Sequence, residues 1–305
     1  MDNSTPTQPR PEVRPVRSLL FVPGNRAAWM SKAVASGADA VVFDLEGSLP
    51  AGDKDDGRRQ VREVIENASA DGPAVFVRVN DSFGGEMSAD LDQVVVAGLA
   101  ALLVPQVRGA EEIRRLDEAL TDLEQKRGLP INTISIDPLM ETPQALFGAY
   151  EIATCSPRIA YMGSGISKRG DIARTMGYRW TPEGLETLYF RSKVLLEVRA
   201  AGVPNPLSGM WGDVADLDGL RRLANQTRNI GYEGMMVIHP THVPIVHEVF
   251  SPTAEEILKW QETIEAIEAA QRDGRGAIRL DGEVADEAHV LTAKQELARA
   301  RRWGL

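Results

Sequence analysis

Two acidic residues stand at the ends of consecutive strand-forming stretches: Glu141 in ISIDPLMETP and Asp171 in the IAYMGSGISKRGD segment. Upstream, Asp44 and Glu46 end VVFDLEG, and Arg78 ends VFVRVN. Magnesium prefers an octahedron of oxygen ligands and keeps several waters, so one or two protein carboxylates plus substrate oxygens complete its shell. The planar fork of an arginine matches a carboxylate in two hydrogen bonds. Carboxylates and one arginine at strand ends therefore suit Mg²⁺ holding a small anionic substrate, which points to an enzyme.

Each of these residues has a plainer role open to it. Glu141 precedes Thr142-Pro143, a helix start, so capping competes with metal ligation. Asp171 sits beside Lys168-Arg169-Gly170, which could neutralise it. Arg78 could form a structural salt bridge to Asp44 or Glu46. Those two acids, two apart on a strand, point to the same side. They repel unless a cation or Arg78 lies between them. Arg17, Asn25 and Lys54 follow as further substrate-binding candidates near strand ends and the next loops, although Lys54 in AGDKDDGRR also reads as a solvated loop charge. His239 and His242 have the i, i+3 spacing of a zinc pair, but HPTH contains a proline and no third ligand is evident. His239 is expected to be a packed, hydrogen-bonded residue. Cys155, the single cysteine, excludes an intrachain disulfide and reads as a buried filler.

The elements that must position these groups alternate. Strands are expected at 17–24, 38–46, 74–80, 101–107, 132–140, 158–164, 206–212 and 235–241, with helices between them, such as 111–127 and 181–202. In the first helix Ile113, Leu116, Leu120 and Leu123 recur at helical spacing. The second is expected to start at Thr181-Pro182-Glu183 and stop at Gly202. Eight strands separated by helices is the count of a (β/α)₈ TIM barrel, whose site lies at the C-terminal ends of the strands. A doubly wound open sheet is the alternative, but no GxGxxG follows the first strand. We expect a tail at 1–15, rich in Pro, Ser and Thr and disordered, a barrel at 16–252, and a C-terminal helix and lid segment at 253–305. That last segment, too small to fold alone, must pack on the barrel or on a neighbouring subunit.

The chain has 305 residues, 43% hydrophobic and 26% charged, an ordinary globular composition. Its formal net charge of −10 speaks against nucleic-acid binding. No apolar run reaches membrane-spanning length, and the N-terminus lacks a signal-peptide core. A cytoplasmic enzyme is the simplest reading.

Several blocks, over about residues 16 to 292, resemble the HpcH/HpaI aldolase and citrate lyase β-subunit family, especially its CitE-like acyl-CoA lyases. They are RSLLFVPGN, the DLE of VVFDLEGSLP, VRVN, the ET of PLMETP, TPEGLETLYFRSKVLLEVRAAG and IHPTHVPIVHEVFSP. The resemblance implies a TIM barrel assembled as a homotrimer or hexamer. It implies metal ligation by Glu141 and Asp171, a substrate arginine at Arg78, and a metal pocket lined by Asp44 and Glu46. DGEVADEAH is similar to a C-terminal family block whose second aspartate is a catalytic acid/base delivered from a neighbouring subunit. That residue would be Asp286, with a pKa raised by burial and a nearby negative charge. Three departures stand out. Gly47 replaces the last aspartate of DLED, Gln106 follows Pro105 where the family often has LPK, and SGISKRG separates Gly163 from Asp171.

The implied activity is a Mg²⁺-dependent carbon–carbon lyase cleaving a small β-hydroxyacyl-CoA, such as malyl-CoA or citramalyl-CoA, into an acyl-CoA and a 2-oxo acid. Two alternatives stay open: a CoA-independent class II aldolase acting on 2-oxo-4-hydroxy acids, and a citrate-lyase-like subunit that needs an acyl-carrier partner.

Overall fold

The computed structural model describes residues 10, 11, 13–280 and 282–305. The chain divides into two compact units, Met1–Phe250 and Ser251–Leu305. The first is an eight-stranded parallel barrel. Its strands are β1 (Ser18–Pro23), β2 (Ala40–Asp44), β3 (Ala74–Arg78), β4 (Leu99–Val104), β5 (Ser135–Met140), β6 (Gly163–Ser164), β7 (Leu207–Met210) and β8 (Gly234–Val237). Neighbours pair in the order β6-β5-β4-β3-β2-β1-β8-β7. Between the two ends of that order, Met162 N donates to Asn205 O and Leu207 N to Met162 O, so the ring is nearly closed.

Both faces of the strands are buried, as a parallel sheet covered by helices requires. Val41, Phe43, Val75, Val77, Leu102 and Val104 belong to the core between sheet and helices. The alternate residues Ala40, Val42, Phe76, Ala101, Leu103 and Leu139 form a separate cluster that fills the barrel. This period of two aims the site. One step beyond Val42 and Phe76 in the same inward phase come Asp44 and Arg78, in register with each other. One step beyond Leu139 comes Glu141.

The covering helices of this unit are α1 (Ala27–Val34), α2 (Lys54–Glu66), α3 (Met87–Val94), α4 (Ala110–Arg127), α5 (Pro143–Phe147), α6 (Ala149–Thr154), α7 (Asp171–Met176), α8 (Leu185–Ala200), α9 (Leu217–Ile230) and α10 (Val243–Phe250). Helix α8 begins four residues later than Thr181 suggests. Gly184, at φ 64°, turns the chain into it, while Thr181 bonds the Glu186 side chain and accepts from Gly184 N at 3.2 Å, closing the turn that leads into the helix. The residues described before position 16 are pinned rather than loose. Arg10 donates to the carbonyls of Ile159, Ala153 and Ala201, Arg14 to those of Gly72 and Ala70, and Tyr161 Oη to Arg14 O at 3.0 Å. Residues 1–9 and 12 of the expected tail lie outside the described residues.

In the second unit, α11 (Ala254–Arg272) and α12 (Glu287–Arg302) flank a hairpin of β9 (Ile278–Leu280) and β10 (Glu283–Ala285). Ile267, Ala285 and Val290 form its small core. Among the described residues, no helix is long and apolar enough to cross a membrane.

Candidate active site

The barrel brings Asp44, Glu46, Arg78 and Glu141 together at the C-terminal ends of β2, β3 and β5. Arg78 grips Asp44 through Nε and Nη2, each at 2.7 Å, and its Nη1 stands 3.2 Å from Glu46 Oε2. The salt bridge that competed with a substrate role is therefore present. It does not exhaust the side chain: a guanidinium has five N–H donors, and these contacts use three. Asp44 also accepts from the backbone amides of Glu46 and Ser48, at 2.9 and 3.0 Å. It thus folds the turn that carries Glu46 back over the strand ends. Burial works against its charge, but the bonds from Arg78 hold its pKa below the ordinary carboxylate value.

Glu141 is free of capping duty, because Thr142 does that work. Thr142 Oγ1 accepts from Ala145 N at 3.1 Å and donates to Val107 O at 2.6 Å. One Glu141 oxygen, Oε1, accepts from the backbone and side-chain amides of Gln106, at 2.9 and 3.3 Å. Burial pushes the Glu141 pKa up to about 7; Gln106 and Arg78 oppose that rise, and Asp171 and Glu46 add to it. Glu46 is shifted up as well, first by burial and then by Asp44 and Asp171 against the pull of Arg78. Asp171, the first residue of α7, is thus within electrostatic reach of both glutamates. Its ion partner is Arg174, one turn along the helix, and not the adjacent Lys168 or Arg169.

Three carboxylates, Asp44, Glu46 and Glu141, act on one guanidinium, and Asp171 acts on the two glutamates, so the pocket is net negative. The mutual repulsion of Glu46, Glu141 and Asp171 is what a cation would relieve. Among the described residues, no three His, Cys, Asp or Glu side chains are gathered closely enough to hold a metal by themselves. A magnesium ion, content with one or two carboxylates and several waters, fits this donor set; an all-protein zinc cage does not.

Not every candidate joins the cluster. Arg17 precedes β1, at the opposite end of the barrel, where its backbone and side chain bond Asp39 at 2.8–2.9 Å. A sequence position one residue outside a strand says nothing about which end of the barrel it occupies. Lys54 is neither a solvated charge nor open to a ligand. Its ammonium turns inward to Leu45 O at 2.9 Å, Glu46 O at 3.4 Å and Asn80 Oδ1, fastening the β2 turn from beneath. Asn25 lies after β1, on the site's end of the barrel, and donates to Asp53 at 2.9 Å. His239 follows β8 and bonds Thr241 Oγ1 at 2.8 Å. Cys155 is half-buried, its thiol pushed up to about 11 by burial, which fits a filler and not a nucleophile.

Asp286 belongs to the second unit. It caps α12 in a capping box, accepting from Ala288 N at 3.0 Å and contacting His289 Nδ1 at 3.0 Å. In the single chain its carboxyl is exposed and its pKa is lowered, chiefly by the bond with His289. The raised pKa expected of it is therefore not a property of the isolated subunit. Asp281, which opens the same block, lies outside the described residues.

Sequence reasoning passed over Gln106 as a contact of Glu141, and Asn80 as the link between the β2 turn and Asp90. It also missed Asp137, an inward-facing carboxyl on β5, pushed up to about 7 by burial. The alternation in SIDPLM was a usable signal for Asp137, since an inward position in a barrel strand is ordinarily apolar.

Known proteins resemble this chain over most of its length. Residues 17–240 match the HpcH/HpaI aldolase/citrate lyase family. A (3S)-malyl-CoA thioesterase of Cereibacter sphaeroides is 32% identical over 289 residues, 95% of this chain and 96% of that protein. The citrate lyase subunit beta of Leuconostoc mesenteroides subsp. cremoris is 31% identical over 279 residues, 92% of this chain and 91% of its own. Among solved structures, CitE of Mycobacterium tuberculosis in complex with magnesium, acetoacetate and coenzyme A superposes with a TM-score of 0.73 at 24% identity, covering 95% of this chain and 99% of that one. A citrate lyase of Burkholderia xenovorans superposes at 0.81 with 19% identity, covering 99% and 96%. With its barrel, its strand-end carboxylates and these relatives, the chain is an enzyme of the HpcH/HpaI aldolase/citrate lyase family.

Proposed function

We propose that this enzyme is a Mg²⁺-dependent carbon–carbon lyase acting on a small β-hydroxyacyl-CoA of the malyl-CoA or citramalyl-CoA kind. The observation that carries the reading is the pair Glu46 and Glu141 beside Arg78, which retains unused donors, with Asp171 within electrostatic reach of both glutamates. Glu141 and Asp171 would hold Mg²⁺, which, when bound, would polarise the carbonyl oxygen of a 2-oxo acid as a Lewis acid. Arg78, already anchored by Asp44, directs its remaining N–H groups at a substrate carboxylate or thioester oxygen and stabilises negative charge developing there. Asp44 and Glu46 fix the plane of that guanidinium. Asp286 of a neighbouring copy supplies the acid/base group, taking the hydroxyl proton in cleavage or a proton of the acyl-CoA methyl in condensation.

A CoA thioester is favoured over a free acid by a cavity of about 350 Å³ beside the ends of β1 and β8. Phe21, Trp29, Lys32 and His239 line it. Phe21 also lies under the Arg78 guanidinium, at 5.5 Å, so this cavity adjoins the acidic pocket. Aromatic faces and a cation are what a nucleotide tail bearing phosphates needs.

A second reading, hydrolysis of malyl-CoA, draws on the malyl-CoA thioesterase at 32% identity. Product analysis after incubation with malyl-CoA and Mg²⁺ separates the two. Acetyl-CoA with glyoxylate supports the lyase; malate with free CoA and no glyoxylate replaces it with the thioesterase.

A further inference from the structure

We infer that Gln106 is a positioning residue that holds Glu141 as a one-oxygen ligand, and that its left-handed backbone is the device that does so. This deepens the metal reading above and rests on it. Gln106 has φ 54°, a left-handed conformation shared among the described residues only by Asn132 outside the glycines. A non-glycine residue in that region is strained and persists only where its surroundings over-determine it. Here they do. The end of β5 grips the loop after β4 at two consecutive residues: Glu141 Oε1 accepts from Gln106, and Thr142 Oγ1 donates to Val107 O at 2.6 Å.

The left-handed turn aims the Gln106 backbone N–H at Glu141 Oε1, at 2.9 Å, and the side-chain amide reaches the same oxygen at 3.3 Å. With both donors on Oε1, Oε2 is the oxygen left for the pocket, where Asp171 and Glu46 raise the demand for a cation. The two amides also fix the rotamer of a carboxylate that its acidic neighbours would otherwise push away. Gln106 thus acts through Glu141, and the part that matters is its backbone conformation more than its side chain.

Three variants of the full chain test this. Gln106→Gly and Gln106→Asn tolerate a positive φ and keep the backbone donor, whereas Gln106→Val does not tolerate it. Mn²⁺ binding, read by proton relaxation enhancement, should stay within about threefold of wild type in the first two and weaken at least tenfold in Gln106→Val. A second readout needs no metal. In the metal-free protein, Gln106→Val should lower Tm clearly in the wild-type background and less in Glu141→Ala, where only the Thr142 bond to Val107 O still holds the loop. Equal Tm drops in both backgrounds, or Mn²⁺ affinity equal in the Val and Gly variants, would overturn the inference. Wild-type protein that binds no Mn²⁺ while the Tm coupling holds would overturn the one-oxygen-ligand role and the metal reading, and leave the backbone clamp standing.

Discussion

Arg78 and Asp44, in register on adjacent strands, form a parallel two-bond fork, Nε to Oδ1 and Nη2 to Oδ2, both 2.7 Å. Asp44 is 2% exposed, so the group that we assign to substrate binding is also tied to a buried ion pair. Removing one partner leaves a buried charge, at a cost of about 3–5 kcal/mol. Arg78→Met alone should therefore lower Tm strongly and abolish activity. Adding Asp44→Leu should restore much of the stability and none of the activity. Recovery of turnover in the double variant would show that Arg78 serves only the fold.

Gly47 faces the same guanidinium. A Cβ there would stand 3.1 Å from Arg78 Nη2. Gly47→Asp places a further carboxylate against donors that we assign to substrate. The loss of one charge-assisted hydrogen bond, roughly 1.5 kcal/mol, corresponds to about a tenfold rise in KM. An unchanged KM would mean that the free edge of Arg78 does not meet substrate.

Glu141 sets a pH dependence. Burial raises its pKa to about 7, so in metal-free protein it is neutral below that value and charged above it. A metal needs the carboxylate. Mg²⁺ or Mn²⁺ affinity should fall up to about tenfold per unit as pH drops below 7, and level off above it. Calorimetry in buffers of different ionisation heat should show proton release on binding near pH 6. Affinity independent of pH from 5 to 8 would contradict the assignment.

Asp137 offers a stability test separate from the residues that we propose as metal ligands. Its folded pKa, about 7, lies above the unfolded value of 3.8. The folded state binds more protons between those limits, so stability falls as pH rises from about 4 to about 7 and then stays low. Asp137→Asn should stabilise the fold at pH 8, by up to about 4 kcal/mol and read as a higher Tm, and change little at pH 4. Thermal unfolding at the two pH values decides it.

How far the site could be read in the sequence follows from strand geometry. Asp44, Arg78 and Glu141 were legible because period-two alternation is rigid: an inward apolar residue fixes the side on which the residue two places on points. The start of α8 was not, because Thr181-Pro182 satisfies every local rule for a cap while Gly184 decides the turn. Arg17 was misplaced because only the register with Asp39 and Ala40 reveals the end of the barrel to which it belongs. The grip of Gln106 on Glu141 depends on a backbone angle, and no residue type announces that except glycine. The role proposed for Asp286 comes only from resemblance, since locally it is an ordinary capping box.

Asp286→Asn should keep the cap of α12, since asparagine caps as well as aspartate. It should leave Mg²⁺ binding intact and stop turnover. Mixing it with Glu141→Ala protein should restore part of the activity, if each site takes its aspartate from a neighbouring copy. No recovery on mixing, with full activity in a monomer, would refute the sharing.

The most direct test of the central claim is to incubate metal-stripped protein with malyl-CoA and with citramalyl-CoA, with and without Mg²⁺, following 2-oxo acid release for wild type and Glu141→Ala. The account predicts release from one of the two thioesters, only with Mg²⁺ and only in wild type. Release without metal, undiminished release by Glu141→Ala, or cleavage confined to a free 2-oxo-4-hydroxy acid would contradict it.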